Sequence, residues 1–215
     1  MTPIDRLADI CDRHELPYTE RTHERFETYL ELLLHFNDSM NLIGPMDADQ
    51  VVDELLIDSI LPAILRPPKG SIIDVGTGAG LPGIPLSILY PDRDVVLVEP
   101  RKKRTTFLKI ARQRLELDHL QLERCRVEEL DDDQIGVHDI AISKAFQSPD
   151  EWVRTAEPLI DDQGSIICLT RPGQRDRVED AAGGAGLQLR GSCDDVTELG
   201  APPQETPRAI FVVGR

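Results

Sequence analysis

Ser71-Ile72-Ile73-Asp74-Val75-Gly76-Thr77-Gly78-Ala79-Gly80-Leu81-Pro82-Gly83 reads as a short apolar strand that runs into a glycine loop and then into the start of a helix. Glycines are needed where the backbone must take positive φ, or must approach a ligand more closely than a Cβ allows. Pro82 or Pro85 suits a first helical turn, where the missing N–H would have had no partner. The stretch therefore predicts a strand–loop–helix unit with room for a nucleotide-like ligand across the carboxyl end of a first strand.

Two ligands compete for that place. Gly78 to Gly83 satisfies the dinucleotide pattern G-x-G-x-x-G, with Glu99 about 20 residues on. The register argues against it, because the glycines begin one step earlier and the run reads Asp74-x-Gly76-x-Gly78-x-Gly80. That run resembles the first motif of S-adenosylmethionine-dependent methyltransferases. Their cofactor has no pyrophosphate and does not require a helix dipole for anion binding. The resemblance implies a loop backbone packed on the methionine portion, with Asp74 orienting its ammonium directly or through water. A glycine turn with no ligand is the plain alternative. The second strand, Asp94 to Val98, ends in Glu99, a carboxylate able to accept both ribose hydroxyls of an adenosine; a surface glutamate closing a strand is the other reading. Arg101-Lys102-Lys103-Arg104 then opens a helix, where four cations oppose the helix dipole. Phosphate would hold them there, and a solvated basic turn is the competing view.

Phe36-Asn37-x-x-x-Asn41-Leu42, Ile57-Asp58-Ser59-Ile60 and the run Ile73 to Leu86, in order and at compatible spacings, resemble the glucose-inhibited division protein B family. So do Lys103-Arg104-x-x-Phe107-Leu108, Arg126-Val127-Glu128-Glu129 and Ile142-Ser143-x-Ala145-Phe146. The family comprises bacterial methyltransferases that modify N7 of a guanine in small-subunit (16S) ribosomal RNA. By position, the resemblance implies cofactor contacts at Gly76, Leu81, Val127, Glu128 and Lys144, beside Asp74, Gly78, Gly80 and Glu99 from the motif itself. Three positions depart from the family pattern. Leu55 stands where a histidine is usual, Lys144 where an arginine is usual, and Leu169-Thr170-Arg171-Pro172-Gly173 where a Lys-Gly pair is usual. Lysine keeps the charge but not the planar fork, so a changed acceptor is an alternative.

Composition bounds the rest. The chain has 215 residues, enough for one domain plus an appendage. No apolar run approaches the ~20 residues of a membrane span, and the acidic start Met1-Thr2-Pro3-Ile4-Asp5 is unlike a secretion signal. Cys11, Cys125, Cys168 and Cys193 are widely spaced, which fits a reducing cytoplasm; the histidines show no metal spacing, and no metal is expected. A net charge of −15 fits RNA binding poorly. Either the cations gather at the cofactor mouth, since Arg101–Arg104 and Arg171–Arg177 both come after strand ends, or the acidity solvates a protein working at high salt. At 1 M salt, screening cuts the reach of repulsion to about 3 Å.

Residues 1–66 read as a helical extension, with a capped start at Thr2-Pro3-x-Asp5, a second helix over about 19–37 and a third over about 48–65. Pro67-Pro68-Lys69-Gly70 marks the boundary with a methyltransferase domain over 67–215. There, strand and helix signals alternate, which predicts an α/β Rossmann-like sheet of seven strands, the last antiparallel. Strands are expected near 71–75, 94–98, 120–124, 138–143, 164–169, 187–192 and 209–213, and helices near 82–90, 102–116, 149–158 and 174–183. Asp58, in the apolar run of the third helix, is expected to be paired, because buried carboxylates need partners.

Guanine N7 carries a free lone pair and no proton, so no catalytic base is expected, only proximity and orientation. Phe146 is the candidate for stacking on the base, with core packing as its alternative. Lys102, Lys103, Arg104 and Arg171 are candidate phosphate contacts, and Lys144 is assigned to the cofactor carboxylate or a phosphate. The expectation is a cytoplasmic, monomeric enzyme that uses S-adenosylmethionine and acts on ribosomal RNA or the small ribosomal subunit. A methyltransferase for a small molecule or protein, and a cofactor-binding regulator without turnover, are the alternatives.

Overall fold

The computed structural model describes residues 2–204 and 206–215; Met1 of the acidic start and Glu205 of the proline-rich loop lie outside them. Seven strands form one sheet in the order β3-β2-β1-β4-β5-β7-β6. They are β1 (Ile72–Val75), β2 (Val95–Val98), β3 (Leu120–Glu123), β4 (His138–Lys144), β5 (Ile160–Thr170), β6 (Gln188–Cys193) and β7 (Ala209–Gly214). The first five pair in parallel, and β7 runs antiparallel to both β5 and β6. All seven expected strands are present. β5 begins earlier than expected, at Ile160, across an irregularity in its pairing with β4.

Alternation along the strands sorts side chains between two covered faces. Ile72, Val95 and Leu97 join one apolar cluster; Ile73, Val75, Val96 and Val98 join the other. The second face is covered by α8 (Pro149–Ala156) and α9 (Arg175–Gly184), through Trp152, Val153 and Val178. The first is covered by α6 (Gly83–Leu89) and α7 (Lys102–Arg114), and its cluster continues without a break into the amino-terminal helices.

Of those helices, α1 (Pro3–Arg13) begins with the expected capping box, Thr2 with Asp5, and Pro3 in its first turn. α2 (Glu20–Met40) runs three residues beyond the expected end and stops at Asn41, whose left-handed φ of 49° caps it. The third expected helix is not continuous. It divides into α3 (Ala48–Val51), a π turn (Val52–Leu56), α4 (Ile57–Ile60) and α5 (Pro62–Leu65). Pro62 has no N–H to continue the ladder. The wide π turn re-aims the side chains of α4. Asp58 is buried there and shared between Lys144 (3.3 Å) and Arg208 (3.4 Å), and its Oδ1 accepts from the Gln204 amide. Asp58 is thus paired, as expected.

Two contacts tie the extension to the sheet near the glycine loop. The boundary at Pro67–Gly70 is pinned by buried Asp139, which accepts from the Lys69 and Gly70 amides and pairs with Arg66. The hydroxyl of fully buried Tyr29 on α2 donates to the Ala79 carbonyl at 2.7 Å, inside the loop itself. Tyr29→Phe should leave that carbonyl buried without a donor, at a cost of about 1–3 kcal/mol. Urea unfolding of the variant checks it; an unchanged midpoint would mean that the loop does not depend on this bond.

Candidate functional site

Strand order reverses beside β1, between its neighbours β2 and β4, and ligands of open α/β sheets settle outside the carboxyl ends of strands at such a point. The loop from Gly76 to Pro82 occupies that place. It is shaped from beneath by Asp74, which is completely buried. Its Oδ2 accepts from the Thr77 hydroxyl at 2.6 Å and from the Gly83 amide at 2.7 Å, while its Oδ1 has no hydrogen-bond partner. Burial pushes this carboxyl up to about 7, against the pull of those two hydrogen bonds. Turned inward and buried, Asp74 fastens the loop, and the direct contact of its carboxylate with a ligand, one of its two expected routes, has no open face here. Gly83 has to be glycine for the same reason, since a Cβ would strike Leu97 and crowd the Asp74 carboxylate.

Gly76 and Gly78 take φ of 71° and 61°. A Cβ on Gly76 would stand 2.6 Å from the Phe146 ring, whereas above Gly78 the nearest atom is an Arg104 guanidinium nitrogen at 3.5 Å. Gly78 thus borders open cleft. Gly80 and Leu81 are buried at the loop–helix junction. Glu99 stands at the tip of β2, almost wholly buried, and accepts from the amides of Gly78 (3.1 Å) and Arg101 (2.9 Å). Beside the loop lies a small apolar slot of about 150 Å³, walled by Val75, Val98, Pro100, Val127 and Phe146, with Glu128 at its rim.

Phe146 also borders a second and larger cavity, a groove of about 710 Å³ between the ends of β4 and β5. Among the described residues, Lys144, Arg171, Arg177 and Arg208 line it, against the carboxylate Glu151. Two further sets of expected contact residues have partners within the chain. Lys144 is turned towards the amino-terminal segment: Nζ donates to the Glu54 carbonyl at 3.0 Å and pairs with Asp58, and burial lowers its pKa against that pairing. Arg101 caps α7 from outside, and the three cations of its first turn do not act together. Arg104 leans back to Glu99 at 3.4 Å, Lys103 Nζ donates to the Ser39 carbonyl, and Lys102 is exposed. Arg171 and Arg177 lie at the mouth of this groove, where cations following a strand end are expected to gather, and Arg208 joins them without having been expected there. Arg208 immediately precedes β7, a position that the strand pattern could have flagged.

The sheet order and the site together define the fold of S-adenosylmethionine-dependent methyltransferases. Among solved structures, geranyl diphosphate C-methyltransferase of Streptomyces coelicolor superposes with a TM-score of 0.57 at 13% identity, covering 93% of this chain and 99% of the other. The chain belongs to the GidB family, rRNA small subunit methyltransferase G, whose pattern matches residues 22–191. Proteins of that name are 38% identical over 144 residues in Mycobacterium leprae and 30% identical over 210 residues in Hydrogenovibrio crunogenus. The first match covers 66% of this chain and 58% of its relative; the second covers 98% and 93%.

A carboxyl whose pKa is higher folded than unfolded binds its proton more tightly when folded. Its contribution is greatest below about pH 4 and declines as pH rises through 7. Asp74→Asn keeps the acceptor without the charge. Between about pH 5 and pH 8 the variant should therefore gain roughly 2 kcal/mol on the parent in urea unfolding. Parallel pH profiles would show that Asp74 does not titrate in this range.

Proposed function

We propose that the chain binds S-adenosylmethionine in the cleft over Gly76–Gly80 and transfers its methyl group to N7 of a guanine in 16S ribosomal RNA. The observation that carries this reading is the junction at Phe146, where an apolar slot beside a glycine loop meets a cationic groove. The residues present fit the cofactor. The apolar slot with Val127 suits an adenine, the Glu99 carboxylate suits ribose hydroxyls, and the bare α-carbon of Gly78 leaves room beside it. The bound cofactor would supply an activated methyl on a sulfonium centre.

What remains for the protein is position. N7 has no proton to lose, and among the described residues neither cavity is lined by a histidine. That suits catalysis by orientation, without a general base. Lys144 would be a poor neighbour for a purine gaining positive charge, and its commitment to Asp58 and the Glu54 carbonyl keeps its charge satisfied elsewhere. Ribose hydroxyls at Glu99 would take the place of the Arg104 guanidinium, an exchange helped by the length of that contact, 3.4 Å.

Ribosomal RNA or the small ribosomal subunit, in the cytoplasm, is the acceptor in this reading, and the enzyme works as a monomer. Among the described residues only Ile135, Val137 and Phe146 are large apolar side chains that stand exposed. No described helix is long and apolar enough to cross a membrane, and no described cluster could hold a metal ion.

Incubation with methyl-labelled S-adenosylmethionine and unmodified small subunits should place the label in 7-methylguanosine after nuclease digestion. Glu99→Gln, which retains the packing and one acceptor oxygen, should weaken cofactor binding by about tenfold, as expected for a lost charged hydrogen bond. Label in protein or in a small molecule instead, or unweakened binding by the variant, would overturn this account.

A further inference from the structure

The groove between β4 and β5 has the wrong charge for this chain. The sequence carries 39 acidic and 24 basic residues, yet among the described residues the groove wall holds four cations and one carboxylate. Its cations are not equivalent. Lys144 and Arg208 share Asp58, and Arg177 pairs with Asp150. Arg171 is exposed at the lip and forms no ion pair among the described residues. Arg177 is exposed and its partner Asp150 only half-buried, so the pair is weakly held and an incoming anion could displace it at small cost.

Phe146 closes the groove on the side of the cofactor cleft. Its ring stands edge-on to Trp152, with centroids 6.3 Å apart and planes at 87°, and lies against Gly76. It is nevertheless 39% exposed. An aromatic ring packed on two sides and left open to a cationic groove is the arrangement that receives a base and its phosphate.

Size and chemistry then limit the form of the substrate. A groove of about 710 Å³ matches a site for one small ligand, not a double helix. In A-form RNA the N7 edge faces a deep, narrow groove that side chains cannot enter. Resting on the function proposed above, we infer that the groove takes a single unpaired or extruded nucleotide, its base against Phe146 and its flanking phosphate on Arg171 and Arg177. Paired RNA is thereby excluded as the form that reacts. The guanine edge would meet the cofactor cleft at the one side chain that walls both cavities.

The test uses the full chain saturated with S-adenosylhomocysteine and a short oligoribonucleotide with a central guanine, as a single strand and as a duplex. Binding is measured across a salt series. The single strand should bind more tightly. Arg171→Ala and Arg177→Ala should each flatten its log–log salt dependence by about 0.7, with affinity for S-adenosylhomocysteine unchanged. Arg177→Lys should restore the slope. Phe146→Leu should weaken single-strand binding about fivefold or more without altering the slope. Equal binding of duplex and single strand, or parental slopes in both arginine variants, would overturn the inference while leaving the methyltransferase reading intact. That reading fails separately, if the parent transfers no label to small subunits.

Discussion

A single buried carboxylate holds the site in shape. Asp74 lies under the glycine loop and grips its two ends, the Thr77 hydroxyl on one side and the Gly83 amide on the other. Burying such a group is costly unless it is bonded, and here one of its oxygens has no partner. The pressure is relieved by a raised pKa, so that near neutrality the group readily takes a proton. The rest of the site depends on where this anchor sets the loop. The Gly78 amide is brought to Glu99, the α-carbon of Gly76 to the Phe146 ring, and the Ala79 carbonyl to the Tyr29 hydroxyl. The helical extension thus takes part in forming the cofactor cleft through one hydrogen bond from α2.

Charge is handled by segregation. With a net charge of −15 the chain as a whole would repel RNA, so the attraction that the proposed function requires has to be local. The basic residues that could provide it are divided into two kinds. Lys144 and Arg208 are committed to Asp58, which ties α4 to the end of β4 and the start of β7, while Lys144 also holds the π turn through the Glu54 carbonyl. Arg171 and Arg177, on the far side of the groove, stay exposed. The same reasoning explains why a lysine is tolerated at position 144: its partners are one carboxylate and one backbone carbonyl, which a point charge satisfies without a planar fork.

The sheet is legible in the sequence because its strands are short apolar runs punctuated by glycine and proline, and each lies within a few residues of its expected place. The loop is legible because the glycine register is strict and the backbone there demands it. Other features depend on contacts between distant residues. The break in the third helix is set by where Asp58 must point, towards Lys144 and Arg208, 86 and 150 positions further along the chain. The cations of α7 read as one cluster in a row of four residues, but on a helix they face different ways, one to Glu99 and one to the carbonyl of Ser39. Asp74 reads as a ligand contact because a run of residues does not encode whether a carboxylate faces the cleft or the core.

The protein's own hydrogen bonds build the loop before any cofactor arrives. Amide hydrogen exchange on the cofactor-free protein tests this most directly, because protection reports the free energy of local opening. The Gly83 and Gly78 amides, which donate to Asp74 and Glu99, should exchange as slowly as those of β1. Exchange at the rate of an open surface loop, with protection appearing only when S-adenosylmethionine is added, would show that the cofactor organises the loop and would contradict the account.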